Sequence, residues 1–362
     1  MQKNAAIAAF TWMFGVLAPS TGWGQDVPLG LPLVAIPADN PQSPEKIALG
    51  RALFTDKRLS ADGTISCARC HQPERAFTDG LRVARGIREQ EGTRNTPSVL
   101  NPAYSTTQFW DGRRKSLEEQ ANDPFVNPLE HGLDSPTRIL EVVTTDAEYA
   151  RQFREVFGVA GEDVTMEHVI KSIASFERSL LTGDSPFDRY FYGGNKDALP
   201  ADAVRGLEIF RGRGKCAACH AIRADSATFA DNQFHSLGVG YKRIESRLAK
   251  IAEYVAKANG KEISEAVLNQ SDVSELGRFV VTLQPSDIGR FKTPSLRNIA
   301  ITAPYMHDGS VKTLEEAVDL EVYYRSIEGS RPLILTPHEK ADLLAFLKSL
   351  TSPQYTGATP SK

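Results

Sequence analysis

The sequence has little excess charge of either sign, and this limits its partners. The formal net charge of the 362 residues is −3 at pH 7, with 42 Lys and Arg against 45 Asp and Glu. No basic stripe runs along the chain, whereas nucleic-acid-binding domains concentrate positive charge on one face. The composition therefore argues against nucleic acid as a partner. It leaves open a charged docking face for a small protein.

Long hydrophobic runs are also lacking. The uncharged run near the N-terminus, residues 5–18, has 14 residues, whereas a membrane-spanning helix needs about 20. Lys3 precedes this run, and Gly22-Trp23-Gly24 gives the small-x-small pattern of a cleavage site. The pattern predicts a signal peptide over residues 1–24 and no membrane span in the mature chain. An uncleaved anchor or a buried helix is the alternative.

Alternating strand patterns are scarce, which excludes a β-rich fold. Helical patterns recur instead, and the two halves share an order of elements. Each half has a Gly-x-x-x-Phe helix end, at 50–54 and 206–210, and closes with a related helix, at 170–182 and 341–351. The turn-rich segment 183–200 lies between them. The sequence therefore predicts a mainly α fold with long irregular loops and two domains.

Cysteine is rare, and its placement is informative. All four Cys lie in two CxxCH motifs, which consist of Cys67, Cys70 and His71, and of Cys216, Cys219 and His220. CxxCH is the attachment signature of a c-type haem. Its two Cys form thioethers to the haem, and its His ligates the iron. Two disulfides or one four-Cys zinc site would leave both His unexplained. The sequence therefore predicts two covalently bound c-type haems.

A helix, a CxxCH motif, loops and a closing helix resemble the cytochrome c domain, and the chain has this order twice. The predicted domains are an N-terminal cytochrome c-like domain, residues 25–195, and a C-terminal one, residues 196–362. Long loops are expected because haem fills much of the core. Haem of this type is attached outside the cytoplasm. Together with the signal peptide, this predicts a periplasmic protein in a Gram-negative cell.

Several longer motifs narrow the class. They are RNTPSVLNPAY at 94–104, FWDGRRKSLEEQANDPFVNPLEHG at 109–132, DNQFHSLGVG at 231–240 and FKTPSLRNIAITAPYMHDGSVKTLEEAV at 291–318. With the CxxCH motifs, this set resembles the bacterial di-haem cytochrome c peroxidase/MauG family over roughly residues 41–351. The resemblance implies that the N-terminal haem reacts with peroxide. The C-terminal haem would take in electrons. The resemblance leaves open whether the protein is a monomer or a homodimer.

The resemblance also assigns the peroxide pocket to Gln120 and Glu130. Cleavage of the O–O bond requires a proton to move between the two oxygens, and a carboxylate over the iron can carry it. An amide can orient the peroxide by hydrogen bonding. Considered without the family, Glu130 is more simply a solvated loop carboxylate and Gln120 a residue on a helix surface.

Two further sites are implied between the haems. Trp110 stands where the family has an aromatic bridge, so it is predicted to relay electrons; a core Trp that packs the domain interface is the alternative. The family also binds calcium between its domains. Asn95 would contribute its side-chain oxygen, and Thr302 and Pro304 their carbonyl oxygens, which suits Ca²⁺.

The second ligand of the N-terminal iron is predicted to be missing. Some family members place a His soon after the first motif, and it caps the resting haem. Here no His occurs between His71 and His131, and the segment 72–98 has no Met. We therefore expect an open position that binds peroxide without prior reduction. A ligand from a distant part of the sequence is the alternative.

The second ligand of the C-terminal iron departs from the family pattern. Electron-accepting members use a Met, and this position, counted without gaps from APYMHDG, is Glu321. MauG-type members use a Tyr. A capping box of Thr313 and Glu316 predicts a helix here, and Tyr324 shares the face of Glu321. Tyr324 is therefore the predicted ligand and Tyr323 the next candidate. Packing of both tyrosines is the alternative.

The remaining histidines are not expected to ligate iron. His235 and His307 fall in family motifs and are predicted to hydrogen-bond near the haems. His131, His168 and His338 are predicted to be surface or capping residues.

Three functions follow from these predictions. The first is a peroxidase that takes electrons from a small cytochrome c or cupredoxin to reduce H₂O₂. The second is a MauG-like maturation enzyme that oxidises residues of a partner protein. MauG has a surface Trp two residues before its second CxxCH, and Gly214 stands at that position here. The third, a non-enzymatic electron carrier, fits poorly with Gln120 and Glu130.

Overall fold

The computed structural model describes residues 26–328 and 332–356, so the predicted signal peptide, residues 1–24, lies outside the described residues. The predicted mainly helical fold is confirmed. The helices of the N-terminal half are α1 (Pro44–Thr55), α2 (Cys67–Cys70), α3 (Leu117–Val126), α4 (Thr137–Thr145), α5 (Ala147–Phe157), α6 (Met166–Arg178) and α7 (Pro186–Phe191).

The C-terminal half is helical as well. Its helices are α8 (Ala201–Arg211), α9 (Tyr241–Ile244), α10 (Leu248–Lys257), α11 (Gly260–Asn269), α12 (Ser271–Ser274), α13 (Phe279–Thr282), α14 (Leu314–Glu328) and α15 (Pro337–Lys348). Two short antiparallel strands, β1 (Phe234–His235) and β2 (Phe291–Lys292), pair with Phe234 opposite Lys292. In the part of the chain that the structure describes, no helix is both long and apolar enough to cross a membrane.

Hydrogen bonds at the helix starts confirm the capping box predicted for α14 and show caps at α1 and α15. Ser43 caps α1 by accepting a bond from the Lys46 N–H, with Pro at the first helical position. A capping box opens α15. At α14, the Glu316 N–H donates to Thr313 Oγ1, and Glu316 accepts a bond from the Thr313 N–H, both at 3.1 Å. These bonds satisfy N–H groups that the first helical turn leaves unpaired.

The repeated Gly-x-x-x-Phe pattern marks two equivalent helix crossings. A Cβ built at Gly50 of α1 would lie 1.9 Å from the carbonyl oxygen of Ser172 in α6. One at Gly206 of α8 would lie 2.0 Å from that of Asp342 in α15. Glycine therefore allows each pair of helices to approach closely.

A phenylalanine four residues later completes each crossing. Phe54 packs edge-on against Phe176 with ring centroids 5.1 Å apart. In the other half, Phe210 packs against Phe346 at 4.9 Å. The same helix-packing arrangement thus occurs once in each half.

The buried apolar residues form three clusters. One lies in the N-terminal half around α1, α5 and α6, and a second in the C-terminal half around α8, α14 and α15. The third lies in the segment between β1 and β2, and its buried members include Ile244, Val267 and Phe279. The two-domain prediction did not anticipate this cluster, because its helices are short and carry no haem motif.

A buried ion pair ties the first described residues to the C-terminal half. Arg297 and Asp188 are almost completely inaccessible, and two hydrogen bonds of 2.8 and 2.9 Å join them. Arg297 also donates to the carbonyl oxygens of Gly30 and Ala227. Its guanidinium therefore joins three segments: the first described residues around Gly30, helix α7 and the segment after the second CxxCH motif.

Candidate active site

Both motif histidines are oriented so that the same nitrogen, Nε2, can bind a metal. His71 Nδ1 lies 3.1 Å from the carbonyl oxygen of Phe77, and His220 Nδ1 lies 2.9 Å from that of Phe229. A carbonyl oxygen can only accept, so each Nδ1 carries the proton. This leaves Nε2 with the lone pair that ligates iron.

Burial also keeps both imidazoles neutral. It lowers the pKa of His71, and it lowers the pKa of His220 to about 4. Neutral imidazole is the form that binds a metal. His71 and His220 would therefore hold the iron of the two haems at neutral pH.

The cysteines fit haem attachment better than the two alternatives. All four are free thiols, so no disulfide joins them. Of the described residues, the clusters with metal-binding geometry are Cys219–Asp231–His235 and Glu275–His307–Asp308. Neither cluster contains more than one Cys, which argues against a four-Cys zinc site.

One continuous cavity is lined by both motifs. Its lining residues include Cys70, His71, Trp110, Gln120 and Glu130 from the N-terminal half, and Cys216, Cys219, His220, Glu321 and Arg325 from the C-terminal half. Most of the other lining side chains are apolar, as is typical of a cofactor site. The residues present therefore fit two haems attached within one connected space. The structure brings all three predicted catalytic residues to its wall.

The environment of Glu130 suits a proton carrier. Its carboxylate accepts a hydrogen bond of 2.6 Å from Asn127 Nδ2. Burial raises the pKa of Glu130, although Arg113 opposes the shift. A Cβ at Gly86 would lie 2.6 Å from Glu130 Cα, so close backbone packing holds this loop. Asn127 was not anticipated, because its role depends on the turn that returns it to Glu130.

Trp110 is held between segments of the two halves. Its indole N–H donates to the carbonyl oxygen of Asn95 at 2.9 Å, and its own carbonyl accepts from the Lys292 N–H at 2.8 Å. Beside it, Asp111 is fully buried. Burial alone would raise the pKa of Asp111, but Arg113 and Arg94 outweigh burial and hold it at about 2.

The predicted calcium residues lie at the junction of the halves. Asn95 and Thr302 both line the cavity. The Asn95 amide nitrogen donates to the carbonyl oxygen of Leu81 at 2.8 Å, and its backbone N–H donates to that of His307. The first bond orients the side chain so that its oxygen is the end available to a cation. Pro304 follows a cis peptide bond at Ala303.

The structure does not bring Tyr324 to the cavity wall. A Cβ at Gly238 would lie 2.3 Å from the Tyr324 hydroxyl oxygen, so this side chain packs on the loop after β1. Tyr323 packs edge-on against Tyr324 and is 59% exposed. The charged residues of α14 that line the cavity are Glu321 and Arg325.

Four of the other histidines lie as predicted. His235 Nε2 lies 2.8 Å from an Asp231 oxygen, and His307 Nε2 lies 2.8 Å from a Glu275 oxygen. Both histidines line the cavity. His168 caps α6, and His338 is exposed and pairs with an acidic side chain.

The prediction for His131 is wrong. This residue is buried, and its Nδ1 donates to the carbonyl oxygen of Leu59 at 2.9 Å. The loop after α3 folds back onto the segment before the first motif, where the Ala61 N–H donates to the His131 carbonyl oxygen. This long-range contact has no signal in the local sequence.

Glu177 was missed by sequence reasoning. It lines the cavity, is 4% exposed, and its Oε2 has no hydrogen-bond partner in the structure. Burial raises the pKa of Glu177 to about 8. The buried face of α6 also holds Ser172, Ser175 and Arg178, so the sequence carried no clear signal for Glu177.

Comparisons with known proteins agree with this geometry. A family profile described as "Di-haem cytochrome c peroxidase" matches residues 44–197. The cytochrome-c peroxidase IdrP1 of Pseudomonas sp. (strain SCT) is 36% identical, covering 97% of this chain and 92% of that protein. MauG of Methylorubrum extorquens is 37% identical, covering 87% and 80%. The crystal structure of a MauG-like protein associated with microbial copper homeostasis is 34% identical, covers 92% of this chain and 97% of that one, and superposes with a TM-score of 0.75.

Two helical CxxCH units that share one cavity define a class of proteins with a pair of c-type haems. Within that class, the chain belongs to the di-haem cytochrome c peroxidase/MauG family. It is a peroxidase-type oxidoreductase, and the di-haem family implies two haems.

Proposed function

We propose that this protein reduces H₂O₂ to water in the periplasm, with electrons passing from the C-terminal haem to the N-terminal haem. The observation that carries the proposal is that both motifs line one cavity, whose two ends are lined by different polar residues. Gln120 and Glu130 lie at the end of the first motif, and Trp110 lines the same cavity. The proposed haem-bearing domains are residues 25–195 and 196–362. A small cytochrome c or cupredoxin is the proposed donor.

The division of labour follows from the residues at the N-terminal end. When bound, the N-terminal haem supplies the iron at which the O–O bond is cleaved. Glu130 carries the proton between the two peroxide oxygens, and Asn127 holds its carboxylate in place. Gln120 orients the peroxide by hydrogen bonding. Burial raises the pKa of Glu130, which helps the carboxyl to hold the proton between accepting it from one oxygen and donating it to the other.

We also propose that the N-terminal iron keeps an exchangeable position. Among the described cavity-lining residues of the N-terminal half, His71 is the one His and there is no Met. His235 and His307 line the cavity from the C-terminal half, but each is hydrogen-bonded to a carboxylate. These contacts support peroxide binding to the fully oxidised enzyme.

The test is Glu130→Gln, with Glu141→Gln on the exposed face of α4 as the matched control. Stopped-flow mixing of the oxidised protein with H₂O₂ measures the first step directly. Because general acid–base catalysis contributes about 10²–10⁴-fold, we expect Glu130→Gln to slow this step at least about 100-fold. Glu141→Gln should react at the wild-type rate. Equal rates for wild type and Glu130→Gln would contradict the assignment.

A MauG-like maturation function is the second candidate, and α14 favours it. No described residue of this helix is a Met, so the ligand typical of electron-accepting members is missing there. MauG of Methylorubrum extorquens is a relative at 37% identity, although Gly214 replaces the surface Trp. Steady-state assays with a reduced small cytochrome c and a reduced cupredoxin separate the two candidates. Peroxide-dependent oxidation of either donor supports the peroxidase. Peroxide consumption without donor oxidation supports the maturation enzyme.

A further inference from the structure

We propose that the Glu321 carboxylate is the second protein ligand of the iron in the C-terminal haem. This inference goes beyond peroxide turnover. It rests on haem attachment at Cys216 and Cys219, which the mass of the purified protein tests separately. The argument comes from the donors that line this end of the cavity and from the face that α14 presents to it.

Several described side chains at this end of the cavity could ligate iron, and each has a partner within the protein. His235 and His307 each bind a carboxylate at 2.8 Å, the Tyr305 hydroxyl donates to the Ile299 carbonyl oxygen at 2.9 Å, and Lys292 Nζ donates to the Thr107 carbonyl oxygen at 2.6 Å. Cys216 and Cys219 are assigned to thioethers, and His220 is the first ligand. Glu321 is paired as well, with Arg325 at 3.7 Å, so position within the cavity is the criterion for choosing among these donors.

The periodicity of α14 directs Glu321 into the cavity. The cavity-lining residues on this helix include Val318, Glu321, Val322 and Arg325, a spacing of three, four and seven that forms one helical face. The capping box at the start of α14 fixes its first turn. Burial of Val318 in the C-terminal cluster then sets its rotation.

Arg325 places the carboxylate beside the haem attachment point. Its Nη2 lies 3.6 Å from Cys219 Sγ, and its Nε lies 3.7 Å from Glu321 Oε2. The guanidinium has no lone pair to offer a metal, so it cannot be the ligand itself. It can offset the charge of a carboxylate held in a largely apolar cavity.

The two competitors are positioned less well. Tyr324 packs its hydroxyl against Gly238 and does not line the cavity. Met306 does line it, but it sits in the APYMHDG turn with a positive φ of 72° and packs against the C-terminal apolar cluster. Its thioether is the alternative that an experiment must exclude.

The identity of the ligand has a measurable consequence. A thioether paired with His raises the reduction potential of a haem. An anionic carboxylate oxygen stabilises Fe(III) instead, because it adds negative charge at the metal. We therefore expect the C-terminal haem to have a lower potential than a His/Met haem.

The test uses the oxidised holoprotein in the absence of peroxide. Electron paramagnetic resonance, absorption spectra and redox titration are recorded for wild type, Glu321→Ala, Glu321→Met, Met306→Leu and Tyr324→Phe. Intact mass must show two haems on each variant, and circular dichroism must show the wild-type fold. Because no turnover is measured, a failed peroxidase proposal would leave this test informative.

Glu321→Ala should convert the C-terminal haem signal to that of a haem with an open or water-bound position. Glu321→Met should give a His/Met spectrum and a higher midpoint potential. Met306→Leu and Tyr324→Phe should keep the wild-type spectrum. An unchanged spectrum in Glu321→Ala would overturn the proposal. A change confined to Met306→Leu or to Tyr324→Phe would also overturn it and would identify the actual ligand.

Discussion

Two glutamates near one arginine show how burial and pairing set opposite pKa shifts. Glu118 accepts hydrogen bonds from Arg178 at 2.7 Å and from Asn40 at 2.8 Å. Burial opposes ionisation of Glu118, but these partners outweigh it and lower its pKa. Glu177 lies next to Arg178 in the chain, yet burial dominates there and raises its pKa to about 8. The two residues should therefore change the folding stability with pH in opposite directions.

Glu177 should make the protein less stable as pH rises from about 4.5 to about 8. In this window the native state keeps a proton that the unfolded state has lost, so stability falls by at most about 1.4 kcal/mol per pH unit. Glu177→Gln removes this loss. We expect its melting temperature, relative to wild type, to be higher at pH 9 than at pH 5.

Glu118→Gln is the matched control with the opposite sign. The contribution of Glu118 is present above its unfolded pKa and is lost as pH falls through its lowered folded pKa. The variant should be destabilised at neutral pH and should approach wild type in acid. The same pH profile for both variants would contradict the assignments.

Removal of Asp188 should be costly, because it leaves the buried Arg297 without its counter-charge. Breaking a buried pair in this way costs about 3–5 kcal/mol, and Asp188 is fully buried. Asp188→Asn should therefore lower the free energy of unfolding measured in urea. The exposed pair of Asp184 and Arg189, joined at 2.7 Å, is the control. Asp184→Asn should cost about 0–1 kcal/mol.

At the residue scale, the sequence is most informative where a motif carries the chemistry. The CxxCH pattern predicts both histidines as iron ligands, because covalent haem attachment requires that spacing, and both line the cavity. Sequence reasoning did not anticipate Asn127 or Glu177, whose surroundings come from segments far apart in the chain. It also misassigned His131. The three-residue spacing from Glu321 suggested Tyr324 as a ligand. A helix face is about 100° wide, so this spacing alone does not decide which side chains reach the cavity. Glu321 and Arg325 line the cavity in the structure.

At the scale of elements, the two glycine crossings were visible in the sequence as a repeat. Gly50→Ala and Gly206→Ala would each place a methyl group about 2 Å from a backbone carbonyl of the facing helix. The helices must then separate, which typically costs about 1–3 kcal/mol. We expect both variants to unfold at lower urea concentration than wild type.

Gly260→Ala is the control for these substitutions. Gly260 is the first residue of α11, and a Cβ there meets nothing within 4 Å. Alanine favours a helix over glycine by up to about 1 kcal/mol, so this variant should be as stable as wild type or slightly more stable. Equal losses in all three variants would show that helix packing is not the cause.

At the scale of the whole molecule, the mainly helical class and the repeat of related helices were predictable. The third apolar cluster was not, since its contacts depend on how α10 to α13 return to each other. This cluster also joins the halves. Thr93 donates to the carbonyl oxygen of Val267, and Arg94 donates to Ser274. The junction is thus built by an element without a sequence motif.

The proposed calcium site lies at this junction, with Asn95 in one half and Thr302 and Pro304 in the other. Because the Trp110 indole binds the Asn95 carbonyl oxygen, loss of the ion should disturb the bridge between the haems. We expect treatment with a calcium chelator to slow peroxide turnover. Added Ca²⁺ should restore it and Mg²⁺ should not, since Mg²⁺ demands a smaller octahedral site.

Asn95→Leu separates a bound ion from a general effect of the chelator, because it removes the side-chain oxygen while keeping the branching and the number of side-chain heavy atoms. Elemental analysis of the holoprotein should find one calcium per chain in wild type and a clear reduction in this variant. The variant should also have the slow turnover of the chelated enzyme and no response to added Ca²⁺. Full calcium content in Asn95→Leu would show that Asn95 is not a ligand. Wild-type turnover in chelator would show that the junction holds without the ion.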